Sequence, residues 1–215
     1  MRYERFITRS FAMQGDDVGN QEGPPVAISS AANHAAAETL AASMPRILIA
    51  EGLAEDLALD WVARIDESEA AGRPALPLYP FSDAVIQGLF EARRGRRMVR
   101  GLEGIESALE AEEAGLAKAP ATRPQPGRSR ISRLLVVSGD GALRFYRAVE
   151  QLQKRFASRV AVMMVDCEED RLGEAVYGSG QRARALMLDH KVAVVEFLLI
   201  LDEIRRNDPS RDIAV

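Results

Sequence analysis

Between Met44 and Asp208, short unbroken apolar runs take turns with longer stretches in which apolar residues recur every three or four positions. The runs suit strands buried on both faces and the stretches suit amphipathic helices, so their order predicts an α/β domain. "RILIA" (Arg46–Ala50), β-branched and stopped by Glu51-Gly52, reads as the first strand. Leu53, Leu57, Trp61 and Ile65 then mark one helix face, closed by Gly72. "RPALPLYPF" is punctuated by proline and suits at most an edge strand. Ser82 is placed to cap a helix over "DAVIQGLFEARR", and strong helix formers from about Leu102 predict another.

The second half has the sharper pattern. "ISRLLVVSG" reads as a buried strand, and Phe145, Val149, Leu152 and Phe156 then form a helical stripe at steps of four, three and four. "RVAVMMVD" reads as a second buried strand, giving a strand–helix–strand unit whose right-handed crossover makes the two strands adjacent and parallel. "CEEDRLGEAVYGSGQ" starts a helix that breaks near Gly178-Ser179-Gly180, and a last helix is predicted from Arg182 to Arg206. The expectation is a three-layer, Rossmannoid α/β domain over residues 44–208 with a mostly parallel sheet. Residues 1–43 are small, polar and weakly patterned and read as a disordered N-terminal extension with a short Ala-rich helix near its end. The Pro/Arg-rich stretch 119–130 reads as an exposed loop or linker, and 209–215 as a C-terminal tail.

Composition narrows the classes without naming one. The chain of 215 residues is 47% hydrophobic and 28% charged with a net charge of −4, which gives no global attraction to nucleic acid or anionic membrane. One cysteine, Cys167, excludes an internal disulfide framework and a Cys-rich zinc site, and two histidines make a His-rich one unexpected. No apolar run reaches the roughly 20 residues of a membrane helix. "MRYERFITRSFAM" carries three arginines but no sustained apolar core, so it does not read as a secretory signal, and the expected location is cytoplasmic.

Candidate chemistry gathers where three predicted strands end in an acid: Glu51, Asp140 and Asp166. Sites in open parallel sheets collect at those ends, and converging carboxylates suit Mg²⁺ or Mn²⁺. The competing reading gives Asp140 the role of helix N-cap, and Asp166 with Glu168, Glu169 and Asp170 the role of complementing a helix dipole. The segment "LLVVSGDGALRFYRAVEQLQKRFASRVAVMMV" resembles the strand–SGDGDF–helix–strand segment of NYN/PIN-like metal-dependent nucleases, with Ser138, Gly139, Asp140 and Gly141 matching the motif over about thirty residues. The resemblance implies RNA cleavage by acids clustered at strand ends, with Asp83 in "SDAVIQGLFEA" as counterpart to the family's middle acid. Ala142 stands where the family has a second acid, and Ala50-Glu51-Gly52 where it has Asp followed by Asn, as in a degenerate member.

Arg93, Arg94, Arg96, Arg97 and Arg100 fall within eight positions and form a candidate phosphate or RNA clamp, extendable by Arg123, Arg128 and Arg130. The competing reading pairs them with the acidic stretch Glu103–Glu113. Arg182 and Arg184 in "GSGQRAR" stand behind a possible phosphate turn, which a simple helix break explains better. His190 has no nucleophile partner in the sequence, and the Cys167 thiolate is disfavoured by neighbouring acids, so both are read as structural. Val194, Phe197, Leu198, Leu201 and Ile204 line one face of the last helix, while Val192, Val195 and Leu199 add a second, which needs a second thing to bury against. Two functions follow. One is a non-catalytic interaction or regulatory module needing no cofactor, with a protein partner or a homo-oligomer. The alternative is a Mg²⁺- or Mn²⁺-dependent ribonuclease with the arginine run holding RNA.

Overall fold

The computed structural model describes residues 29–118 and 130–208. Among these, the order is α1 (Ser29–Ser43), α2 (Arg46–Ala50), α3 (Ala54–Ala70), β1 (Leu78–Tyr79), α4 (Asp83–Arg94), β2 (Met98–Arg100), α5 (Leu102–Lys118), β3 (Arg133–Ser138), α6 (Leu143–Arg155), β4 (Val160–Val165), α7 (Glu169–Tyr177), β5 (Ala185–Leu188) and α8 (Lys191–Arg206). The strands form one open sheet in the order β1-β4-β3-β5-β2.

The apolar runs of β3 and β4 become the centre of this sheet because both of their faces are covered. Leu134, Val136, Ala161, Met163 and Val165 join a core that includes Leu57 and Trp61 of α3, Leu89 of α4, Leu172 of α7 and Phe197 of α8. Leu135, Val137, Val162 and Met164 face the other way, onto Ile105 and Leu109 of α5 and Val149 and Leu152 of α6. Alternate residues of each strand thus serve two helical layers, which gives three layers in all. The crossover β3–α6–β4 joins adjacent parallel strands as expected, and Phe145, Val149, Leu152 and Phe156 form the inward stripe of α6. Ser82 caps α4 by accepting from the Val85 amide, and Gly72 ends α3 at φ +69°. The edge strand β1 is only two residues long, yet a buried cluster ties it down. The Tyr79 hydroxyl donates to Asp60 at 2.9 Å, Asp60 accepts from Arg64 at 2.8 Å, and the Arg64 guanidinium lies 4.4 Å from the Tyr79 ring centre.

Several expectations are corrected. β1–β4 and β4–β3 pair in parallel, but β3–β5 and β5–β2 are antiparallel, so the sheet is mixed rather than mostly parallel, with β5 alone reversed. "RILIA" is helix α2, not a strand: Met44 and Leu48, four apart, are fully buried, while Ile47 and Ile49 point outward. A strand would have sent Ile47 and Ile49 inward together. The helix predicted from Arg182 begins only at Lys191, because "ALML" forms β5 and satisfies the backbone of β3 on its free side. "MVR" inside the arginine run forms β2. Helix α1, in the stretch assigned to the extension, packs against α3: Ala36, Ala37 and Ala41 are buried, and the Asn33 amide donates to Asp66. Helix α1 is thus part of the described packing. Residues 1–28, the loop stretch 119–129 with Arg123 and Arg128, and the tail 209–215 lie outside the described residues.

Candidate functional site

The turn Ser138-Gly139-Asp140-Gly141 leaves the end of β3 beside Asp166 and Cys167, which leave the end of the parallel neighbour β4; the Gly139 amide donates to the Cys167 carbonyl at 2.8 Å. Tyr146 of α6 pins the turn from below, its hydroxyl donating to the Ser138 carbonyl at 2.9 Å and accepting from the Gly141 amide at 3.0 Å. A side chain at Gly141 would meet Phe145 and Tyr146 at 2.5 and 2.9 Å, so glycine there is what lets the turn fold onto α6.

Asp140 is not the cap of the helix that follows it. α6 starts at Leu143 with Ala142 as its cap residue and no side-chain capping bond. The Asp140 carboxylate instead accepts from the Ser138 hydroxyl at 2.7 Å, and the backbone N–H of Glu169, the first residue of α7, lies near enough to favour its charged form. α7 lacks a side-chain bond from its own cap position, Glu168. The β3–β4 pairing thus brings Asp140 to the start of a helix almost thirty residues further along the chain. Partial burial pushes its carboxyl up, but the hydrogen bonds from Ser138, Glu169 and its own amide, with the charge of Arg184, prevail and hold it below the ordinary range.

The other charges here are neutralised in pairs. Arg73, in the loop after α3, lies 3.3 Å from Asp166. Arg182 and Arg184 reach Glu169 at 2.8 and 2.7 Å, and Arg182 also bridges Asp170. These two arginines stand behind the Gly178-Ser179-Gly180 turn, but they face acids of α7. Burial pushes the Cys167 thiol up to about 12 against the lowering charge of Arg171, helped by Asp140, Asp166 and Glu168, so it stays protonated at neutral pH.

Of the remaining metal candidates, Asp83 heads α4 at the same end of the sheet, since β1 runs parallel to β4. Glu51 lies in the turn after α2, and α2 begins beside Arg130 and Ile131 at the entrance to β3 rather than its exit: the Ser43 carbonyl accepts from Ile131 and the Met44 carbonyl from Arg130. No group of three or more His, Cys, Asp or Glu side chains comes together among the described residues in a way that could hold a metal ion.

The arginine run is split by the fold. Arg93 and Arg100 both stack on the Tyr177 ring, each 4.8 Å from its centre, and donate to the Val176 and Arg182 carbonyls. Arg97 pairs with Glu196 at 3.4 Å and Arg94 with Glu91 at 3.8 Å, while exposed Arg96 occupies a left-handed turn at φ +56°. The acidic stretch of α5 serves other partners. Glu106 and Glu110 hold Arg155, and Glu112 lies between Arg133 and Arg159. His190 is the N-cap of α8, its Nδ1 accepting from the Val192 amide at 3.3 Å. Val194, Phe197, Leu198 and Leu201 are buried in the chain's own core with Ile204 packed against it, whereas Val192 and Leu199 on the second face are exposed. Sequence reasoning missed Arg73, 93 residues from its partner, because no local pattern announces such a contact. Tyr146 was detectable, as an aromatic on the first turn of the helix after a Gly-Asp-Gly turn.

No family model matches this chain, and no curated protein matches it. It is similar to a solved structure described as a protein with unknown function from Bacillus halodurans C, at 14% identity and a TM-score of 0.40 over 55% of this chain and 96% of that one.

Proposed function

We propose that this chain is a non-catalytic interaction or regulatory module on a Rossmannoid α/β scaffold, working in an oligomer or with a protein partner. The observation that carries the reading is the use of Asp140. The one acid that matches the nuclease-like motif accepts from Ser138 and sits near the start of α7 and the charge of Arg184, while its neighbour Asp166 faces Arg73. A divalent cation would have to compete with these guanidinium charges for the same oxygens. Exposed apolar side chains support the partner: Ile47 of α2 shares a groove with Val195 of α8, and Val192 and Leu199 stand outward on that helix.

One observation favours a Mg²⁺- or Mn²⁺-dependent NYN/PIN-like ribonuclease as the second reading: Asp140 and Asp166 leave adjacent parallel strands at the same end of the sheet. Thermal melts of the full chain with and without Mn²⁺, beside Asp140→Asn, separate the two. A ligand at 100 times its dissociation constant adds about 2.7 kcal/mol to the native state, a shift easily seen in the midpoint. The module reading expects no metal-dependent rise in either protein. A rise in the parent that Asp140→Asn abolishes would overturn it in favour of the nuclease.

A further inference from the structure

We propose that the acid-rimmed groove between α1 and the start of α3 is the docking site of the chain's own N-terminal segment, Met1–Met13. This inference does not depend on the reading of the strand-end site. The groove, of about 440 Å³, is floored by alanines of α1 and walled by Ile49 of α2 and Leu59 of α3. Ile49 and Leu59 are 40% and 43% exposed although both sit among well-packed helices, so the groove presents apolar surface with nothing described covering it. Its rim carries Glu38 and Glu55, no lysine or arginine lines it, and His34 is its one basic side chain.

The segment before α1 has the complementary character. In "MRYERFITRSFAM", Tyr3, Phe6, Ile7 and Phe11 fall at i, i+3, i+4 and i+8, the spacing by which an amphipathic segment lays one apolar face into a groove. Arg2, Arg5 and Arg9 stand against Glu4 alone, so the segment is basic where the groove is acidic. Geometry permits the contact within one molecule. Fifteen residues, 14–28, join Met13 to the start of α1, and a chain of that length can span up to roughly 50 Å when extended. The farthest groove residue on α1, Ala42, is thirteen residues from Ser29, about 20 Å along the helix. Tethering at that reach gives an effective concentration near the millimolar range, which favours this occupant over a second copy or a free basic peptide.

The test uses the full chain with benzoylphenylalanine in place of Phe6, photolysed in an equal mixture of isotopically heavy and light protein, with the cross-linked peptides mapped by mass spectrometry. The proposal expects light–light and heavy–heavy products joining residue 6 to peptides that contain Ala42, Ile49 or Leu59. It expects the yield to fall about threefold or more when Glu38→Gln and Glu55→Gln are combined, and to fall likewise at high salt. Both glutamates are on the surface, and an unchanged melting profile of the double variant shows that the groove itself is intact. Cross-links that map elsewhere, products that join heavy to light chains, or a yield indifferent to both glutamates would each overturn it.

Discussion

Arg96 stands where a glycine is ordinarily found. The Arg97 amide returns to the Ala92 carbonyl and the Arg96 amide to Arg93, the two bonds that end a helix through a left-handed residue. α3 ends with the same pair of bonds, from Arg73 to Ser68 and from Gly72 to Glu69, and there the left-handed residue is glycine. An arginine in that conformation costs about 1 kcal/mol of steric strain, offset in part by the freedom that glycine adds to the unfolded chain. Arg96→Gly is therefore expected to stabilise the fold by about 0.5 kcal/mol, read as a higher urea midpoint at unchanged slope. Asp140 gives the opposite sign. Asp140→Ala leaves the buried Ser138 hydroxyl without its acceptor and removes a negative charge from near the start of α7, and is expected to cost about 1 kcal/mol. Its carboxyl is held below the ordinary range in the folded state, so its contribution is present above the unfolded value near 3.8 and is lost as pH falls through the lower folded value. The stability profiles of parent and Asp140→Ala should converge below about pH 4, which acid titrations of the urea midpoint would check. Gly72 as a stop and Ser82 as a cap were both readable from local chemistry. The nearness of Asp140 to α7 was not, because it depends on which strands lie side by side.

At the scale of elements, two helix-interior glycines separate local propensity from packing. Gly88 of α4 faces α8, where an added methyl would meet the end of the Ile200 side chain at 2.6 Å and Phe197 at 3.1 Å. Gly173 of α7 faces backbone: its methyl would lie 2.2 Å from the Gln181 carbonyl oxygen and 2.5 Å from the Arg182 Cα. Alanine gains roughly 1 kcal/mol over glycine in a helix interior, and the flexible tip of Ile200 is able to turn aside. Gly88→Ala is thus expected within about 1 kcal/mol of the parent, while Gly173→Ala loses about 1–3 kcal/mol because backbone cannot yield as a side chain does. Chemical denaturation of the two variants in parallel checks the contrast. The same conflict explains the misread elements. "ALML" has helix-forming residues but is recruited into the sheet by β3 and β2, and "RILIA" has strand-forming residues but is held as a helix by the burial of Met44 and Leu48. Runs of four or five residues carry too little periodicity to resist their surroundings.

For the whole molecule, the consequential boundary is α1. Its alanines Ala36, Ala37 and Ala41 close one side of the core that holds Leu48, Leu57 and Trp61, and Asn33 ties it to Asp66. A chain begun at Met44 would expose that side. It is expected to melt lower than the full chain and to bind more of a hydrophobic dye, whereas a chain begun just before Ser29 keeps α1 on the core and should melt above the chain begun at Met44. No helix among the described residues is long and apolar enough to cross a membrane. The two faces of α8 divide at this scale: one is consumed by the core of the chain itself, and only the face with Val192 and Leu199 remains outward.

By itself the sequence determined the α/β class, the β3–α6–β4 unit, the helices α3, α4, α5, α6 and α7, and the presence of polar chemistry at the ends of β3 and β4. Each of these rests on periodicity or cap chemistry spread over enough residues to outweigh local competition. The tertiary structure alone decided that β5 enters the sheet reversed, that α2 is helical, that Arg93 and Arg100 share the Tyr177 ring, and that Asp140 comes near the start of α7. Those outcomes depend on contacts between residues distant in the chain, whose energies exceed the small local preferences that a sequence displays.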